Sequence, residues 1–112
     1  MLNPETQQPI EVTRGSDNVF ADLGLPDADV ELAKAKLALA LHKQIKARRL
    51  TQAKAAKLLN ESQPNVSKIT RGNIRKVSLD RLTRHLNALG MDVVVYVRTA
   101  AQEKGHLIVN AD

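Results

Sequence analysis

The sequence contains no cysteine, and this absence excludes several kinds of site at once. Neither a disulfide framework nor a thiolate metal site can form without that side chain. Aromatic residues are nearly absent as well, since the chain has one Phe, Phe20, and one Tyr, Tyr96, and no Trp. We therefore expect a core of Leu, Ile, Val and Ala, which suits closely packed helices better than packed sheets.

Long apolar runs are missing too. No segment approaches the roughly 20 consecutive apolar residues that span a bilayer, and residues 1–10 lack the basic start and apolar run of a signal peptide. We therefore expect a soluble, cytoplasmic protein with no membrane partner. The length of 112 residues indicates one domain of modest stability.

The sequence also lacks the motifs of an enzyme. Its three histidines, His42, His85 and His106, are scattered, with no cysteine and no carboxylate at metal-ligand spacing. The glycines form no phosphate-binding loop. We predict a protein without enzymatic activity, cofactor or metal site. RNA binding is disfavoured because it usually needs more stacking aromatic residues than this chain has.

Positive charge is abundant, and it is unevenly distributed. The net charge is +5, but residues 1–31 carry one base against seven acids, whereas residues 32–90 carry fourteen bases against two acids. A basic region of this density attracts a polyanion electrostatically. Charge alone leaves two interpretations open: a surface that binds a polyanion, and a well-solvated basic surface. The strongest alternative to DNA binding is a basic face that docks an acidic protein partner.

The spacing of apolar residues predicts an all-α protein with four main helices. We expect them at residues 27–49, 51–59, 63–71 and 79–89. Asp27 or Asp29 can cap the first helix and Ser78 the last, while Gly72 and Gly90 suit helix ends. Before them we expect a flexible acidic tail at residues 1–18, and an apolar lid around Phe20.

Residues 93–97 change the pattern, because they are β-branched or aromatic throughout, which is typical of a strand. Residues 106–109 are a weaker strand candidate. Either the two segments form a hairpin, or residues 93–97 pair with the same strand of a second subunit. We predict the second arrangement, a homodimer with Val93, Val95, Tyr96 and Val97 at its interface. The predicted organisation is therefore a tail (1–18), a DNA-binding domain (19–90) and a dimerisation extension (91–112).

The spacing from Thr51 to Ile69 predicts two helices that cross at a tight turn. Asn60 suits the turn because asparagine tolerates left-handed backbone, and Ser62 can cap the second helix. The exposed face of that helix holds Gln63, Asn65, Ser67 and Lys68. Amide side chains can bond an adenine edge and lysine can reach guanine acceptors in the major groove, so this face predicts sequence-specific DNA binding.

Residues 50–72, LTQAKAAKLLNESQPNVSKITRG, resemble the helix-turn-helix core of the XRE family, which includes phage lambda repressor and Cro. The resemblance implies a lambda-repressor-like bundle of four to five helices, to which the patterns above add a short C-terminal β-strand. It also implies that Gln52 contacts a base or the DNA backbone. Asn60 and Glu61 depart from the family, which usually has Gly and an apolar residue there. We therefore expect the turn to lose a hydrophobic anchor at Glu61.

The flanking segments, residues 18–38 and 78–97, are similar to small stand-alone XRE proteins grouped with HigA-like antitoxins. This similarity implies a repressor that acts on its own promoter and sequesters a RelE/HigB-type toxin. A plain regulator without a toxin is the alternative. In either case we predict a palindromic operator in double-stranded DNA. Contacts to its phosphates are predicted from Thr51, Arg71, Asn73, Arg75 and Lys76.

Overall fold

The computed structural model describes residues 27–111, which contain four helices. Helix α1 spans Ala28–Ala47, α2 Gln52–Leu59, α3 Gln63–Thr70 and α4 Leu79–Ala88. These bounds confirm the four predicted helices, each to within two residues at either end. No helix in this range is long and apolar enough to cross a membrane. The predicted acidic tail and apolar lid lie outside the described residues.

Three helices begin at a hydroxyl-bearing residue that caps the first turn. The side-chain oxygens of Thr51, Ser62 and Ser78 accept the backbone N–H three residues later, at 3.0, 3.3 and 3.0 Å. Each bond satisfies an N–H that has no partner within the helix. The cap predicted for α1 does not form: Asp27 holds the cap position with a left-handed φ of 54° and no side-chain cap bond. Side-chain caps normally need an extended backbone there.

The turns after the helices each contain a residue with positive φ. Asn60 follows α2 with φ 55°, as its place in the turn predicts. The N–H of Glu61 then bonds the Ala56 carbonyl at 2.9 Å and closes the end of α2. Gly72 and Gly90 take φ values of 86° and 84° after α3 and α4, a conformation that glycine adopts without a steric penalty.

The core lies where α1 packs against α3 and α4, while α2 packs against the same two helices. It is aliphatic, as the composition predicts, and Leu41 of α1 and Leu82 of α4 are completely buried. Burying a side chain of this size stabilises the fold by about 1.5–3 kcal/mol. The short helices α2 and α3 contribute buried side chains to this same core.

The predicted C-terminal β-strand is not seen within the chain: residues 91–111 contain no strand and no hairpin, so the hairpin alternative is wrong. A strand needs a neighbour for its backbone groups, and the described part of the chain supplies none. The segment at residues 106–109 returns to α1 instead, where His106 Nδ1 lies 2.8 Å from Asp29 Oδ2. Val93 and Val109 pack partly against the core. Pairing between subunits involves a second chain and stays a prediction.

Candidate nucleic-acid interface

Helices α2 and α3 form a compact pair around the turn at residues 60–62. The small side chains of Ala55 and Ala56 are buried on α2, and Val66 and Ile69 are buried on α3. Small residues let the two helices approach closely. The turn geometry and the Ser62 cap then set the direction in which α3 leaves α2, as the sequence predicts.

The start of α3 presents polar side chains. Gln63 and Lys68 are exposed, whereas Asn65 and Ser67 are partly buried. Gln52, at the first position of α2, is also exposed. Side chains of these types can hydrogen-bond to base edges in the major groove, which is wide enough to admit a helix.

A basic depression borders this face of α3. It has a volume of about 410 Å³, and its lining is Asn65, Lys68, Ile69, Asn73, Arg75, Lys76, Val77 and Arg81. Four of these residues are cationic and none is acidic. The depression therefore offers an electropositive surface beside the helix, which suits the phosphate groups of a nucleic acid.

Lys34 of α1 holds the loop that forms one side of the basic depression. Its side chain is buried, and Nζ donates to the backbone carbonyl of Arg75 at 3.0 Å and contacts Glu31 Oε2 at 3.5 Å. Sequence reasoning missed this role. The sequence did contain a signal, since Lys34 lies three residues before Leu37 and so belongs to the apolar face of α1. Lysine is rarely buried without a partner, so a lysine on that face indicates a polar contact.

Glu61 joins the start of α3 to α4. Its Oε1 accepts from Asn65 Nδ2 at 3.1 Å, while Oε2 accepts from Arg81 Nε at 2.6 Å and lies 2.9 Å from His85 Nε2. We call these four residues the Glu61 cluster. The Glu61 side chain is only 7% exposed. The sequence predicts that the turn lacks a hydrophobic anchor at Glu61. The structure has a polar anchor at this position instead, which the sequence did not predict.

The Glu61 carboxyl is ionised near neutral pH. Burial would raise its pKa, but hydrogen bonds from Arg81, Asn65 and His85, together with the Arg81 charge, lower the pKa below its ordinary value. An ionised carboxylate only accepts hydrogen bonds. Asn65 must therefore turn its NH₂ group toward Glu61, and His85 must donate from Nε2.

Comparison with known proteins places this architecture in a family. A family model described as a helix-turn-helix domain matches residues 19–98. A solved structure of a protein named as an XRE family transcriptional regulator is 36% identical, with a TM-score of 0.71, and the match covers 78% of this chain and 100% of that chain. This chain belongs to the XRE helix-turn-helix family. No curated protein matches the sequence.

Membership of the XRE family confirms the predicted resemblance and makes α2, the turn and α3 the helix-turn-helix of this chain. It also gives the general function, which is DNA-binding transcriptional regulation. In the turn of this XRE fold, Asn60 takes the left-handed backbone conformation that a glycine would adopt there. At Glu61, where the resemblance implies an apolar residue, the chain has the polar contacts of the Glu61 cluster instead.

Half of the predicted DNA-contacting residues of this XRE protein come together. The basic depression includes Asn65, Lys68, Asn73, Arg75 and Lys76 among its lining residues. The others lie outside that lining: Gln52, Gln63, Ser67, Thr51 and Arg71. Of these, the Thr51 hydroxyl caps α2, and Arg71 Nε donates to the Ser67 carbonyl at 3.2 Å. Arg81 also lines the basic depression but was not predicted, because it lies in α4, outside the helix-turn-helix.

Proposed function

We propose that this XRE protein is a sequence-specific repressor that binds a palindromic operator in double-stranded DNA as a homodimer. The observation that carries the proposal is the position of the polar face of α3 beside the basic depression. Base contacts give specificity and phosphate contacts give register and affinity. The two surfaces together supply side chains for both tasks.

The base contacts are assigned mainly to α3, the second helix of the helix-turn-helix. They come from Gln63, Asn65, Ser67 and Lys68 on α3, with Gln52 of α2 beside them. The amides match the N6 and N7 atoms of adenine, and lysine matches O6 and N7 of guanine. In helix-turn-helix proteins the N-terminal residues of the second helix are the ones that contact base edges.

The phosphate contacts are assigned to residues on and after α3. They come from Arg71, Asn73, Arg75 and Lys76, with Thr51 at the start of α2. Since Lys34 holds the Arg75 carbonyl, the loop that carries Arg75 and Lys76 is ordered before DNA arrives. An ordered loop loses less conformational entropy on binding.

The dimer contact is assigned to the C-terminal segment. Val95, Tyr96 and Val97 are 82%, 80% and 86% exposed, and contiguous exposed apolar residues commonly mark an interaction site. Val93 belongs to the same segment but packs partly against its own core, so its contribution is smaller. Pairing of this segment with a second copy would satisfy backbone groups that have no strand neighbour in the monomer. For such a two-fold dimer we expect half-sites about one helical turn apart, roughly 34–36 Å.

A more specific role follows from the similarity of residues 18–38 and 78–97 to HigA-like proteins. The protein is then the antitoxin of a toxin–antitoxin pair, represses its own promoter and sequesters a RelE/HigB-type toxin. Co-expression with the neighbouring open reading frame tests this role. A stable complex with its product supports the antitoxin, whereas operator binding without such a complex indicates a stand-alone regulator.

The decisive experiment is a titration of the protein against its own upstream DNA and against random duplex, at several salt concentrations. We expect binding to the upstream DNA to be at least about a thousand-fold tighter at physiological salt. Equal and steeply salt-dependent binding to both duplexes would contradict the proposal. That result would favour a basic face that docks an acidic protein partner.

A further inference from the structure

Asn65 is the member of the Glu61 cluster that belongs to α3, the helix proposed to face DNA. Asn65 is the third residue of α3, and its Nδ2 lies 3.1 Å from Glu61 Oε1. Glu61 is itself held from α4, by Arg81 Nε at 2.6 Å and by His85 Nε2 at 2.9 Å. The Glu61 carboxylate that contacts Asn65 is therefore buried and is held by two further side chains.

This contact gives the Asn65 amide a direction. A carboxylate that only accepts hydrogen bonds attracts the NH₂ end of an amide and repels its oxygen. Asn65 Nδ2 therefore faces the Glu61 carboxylate, and Oδ1 points away from that carboxylate. When the N–H trans to Oδ1 bonds Glu61, the second N–H lies on the same edge as Oδ1. That outward edge offers one acceptor and one donor side by side.

We propose that Glu61 is a positioning residue that determines base specificity, by holding the Asn65 amide in the orientation that pairs with adenine. Adenine presents N6–H₂ as a donor and N7 as an acceptor in the major groove, which complements this edge. A reversed amide would set its oxygen against the carboxylate, so the orientation is fixed before DNA binds. The inference rests on the proposed function, because it concerns the base pair that Asn65 faces.

The first test is selection of binding sites from a randomised duplex pool, followed by measurement of affinity for each base at the selected positions. Wild-type protein is expected to prefer adenine by about tenfold or more at one position of each half-site. Glu61→Gln is expected to reduce that preference to a few-fold and to leave the other positions unchanged, because glutamine supports either orientation of the Asn65 amide. In an Asn65→Ala background, Glu61→Gln should have no further effect on specificity.

Arg81→Gln is the matched control. It removes a contact of the Glu61 cluster but leaves the Glu61–Asn65 pair, so it should retain the adenine preference even where overall affinity falls. If Glu61→Gln unfolds, Glu61→Asp replaces it, because aspartate keeps the charge but retracts the carboxylate from Asn65 by one methylene. A wild-type adenine preference that survives in the folded Glu61 variant overturns the inference. A Glu61 effect of equal size in the Asn65→Ala background also overturns it.

A second measurement needs no DNA. The side-chain NH₂ signals of Asn65, assigned by their loss in Asn65→Ala, should shift in Glu61→Gln much more than in Arg81→Gln. If the Asn65 signals do not shift in Glu61→Gln, the inference is overturned. Sequence-specific binding by the wild type would still support the proposed function in that case. A wild type that selects no sequence would contradict the proposed function as well as the adenine preference, and it is recognised from the wild-type data alone.

Discussion

Gln63 and Asn65 are both amide side chains of the first turn of α3, yet they differ in exposure and in hydrogen bonding. Gln63 is exposed, whereas Asn65 is tied to Glu61 through Nδ2 and to the Ser62 cap through its backbone N–H. The sequence predicts both as base-contacting residues and does not distinguish them. The difference arises from α4, which supports Glu61 and is distant in sequence.

Replacing Gln63 by alanine should lower affinity for the operator by about 1–3 kcal/mol and relax the preference at one base pair. The substitution removes a contact to a base edge, and the position is exposed, so the fold should tolerate it. Affinities for the operator and for versions changed at each base pair measure the effect. Equal losses on operator and random DNA would contradict the assigned role of Gln63.

Arg75→Ala is the matched comparison, because it removes a phosphate contact. It should weaken binding to all sequences alike and reduce the slope of log affinity against log salt by about 1. An unchanged salt slope would indicate that Arg75 remains solvated in the complex.

Glu61 should also give the fold a dependence on pH. Because the folded pKa lies below that of the unfolded chain, its contribution to stability is complete above the unfolded pKa. The contribution is then lost as the pH falls through the folded pKa. Wild type should therefore exceed Glu61→Gln in unfolding free energy at neutral pH, and the gap should close in acid. Denaturant unfolding across the acid range measures it.

Glu103→Gln is the control for this pH dependence, since Glu103 is an exposed glutamate. Its unfolding free energy should follow that of wild type throughout. A gap between wild type and Glu61→Gln that stays constant with pH would mean that ionisation of Glu61 does not stabilise the fold.

At the scale of the helices, local chemistry accounts for most boundaries. Thr51, Ser62 and Ser78 begin helices because their oxygens cap N–H groups nearby. Asn60 ends α2 with left-handed backbone. These features depend on neighbours within a few residues, so they could be predicted. The link from Lys34 to the Arg75 carbonyl spans 41 residues and could not.

Replacing Lys34 by methionine tests that link, because it keeps most of the apolar stem and removes the donor to the Arg75 carbonyl. The unsatisfied carbonyl should lower the free energy of unfolding by about 1–3 kcal/mol. Amide hydrogen exchange in the loop at residues 73–77 should become faster. Denaturant unfolding and exchange mass spectrometry measure the two effects.

Lys43→Met is the control on the same helix, since Lys43 is exposed. It should change stability by no more than about 0.5 kcal/mol. Should Lys34→Met leave both stability and loop exchange unchanged, the loop must be held by other contacts.

At the scale of the whole molecule, the C-terminal segment shows how composition can mislead. Val94–Val97 have the side chains of a strand, but they are 80–86% exposed and form no strand in the chain. β-propensity expresses packing against a neighbouring strand more than an intrinsic preference of the backbone. The described part of the monomer offers no such neighbour, so a second copy is the proposed one.

The paired substitutions Val95→Asp and Val97→Asp should convert a dimer into a monomer, because they place charges in an apolar contact. Sedimentation analysis should show the mass fall by half, and operator affinity should fall with it. Leu58→Asp is the control, since Leu58 is an exposed apolar residue on α2. A variant that stays dimeric would place the interface elsewhere.

The sequence by itself determined the helices, their caps, the left-handed turn at Asn60 and the aliphatic core. Periodicity and capping act over a few residues and are therefore visible in the chain. The sequence also placed a polar face at the start of α3. Tertiary structure alone decided which side chains are grouped in the basic depression, that Glu61 is a buried anchor and that residues 93–97 form no strand. These outcomes depend on what each residue packs against, and those partners lie far away in sequence.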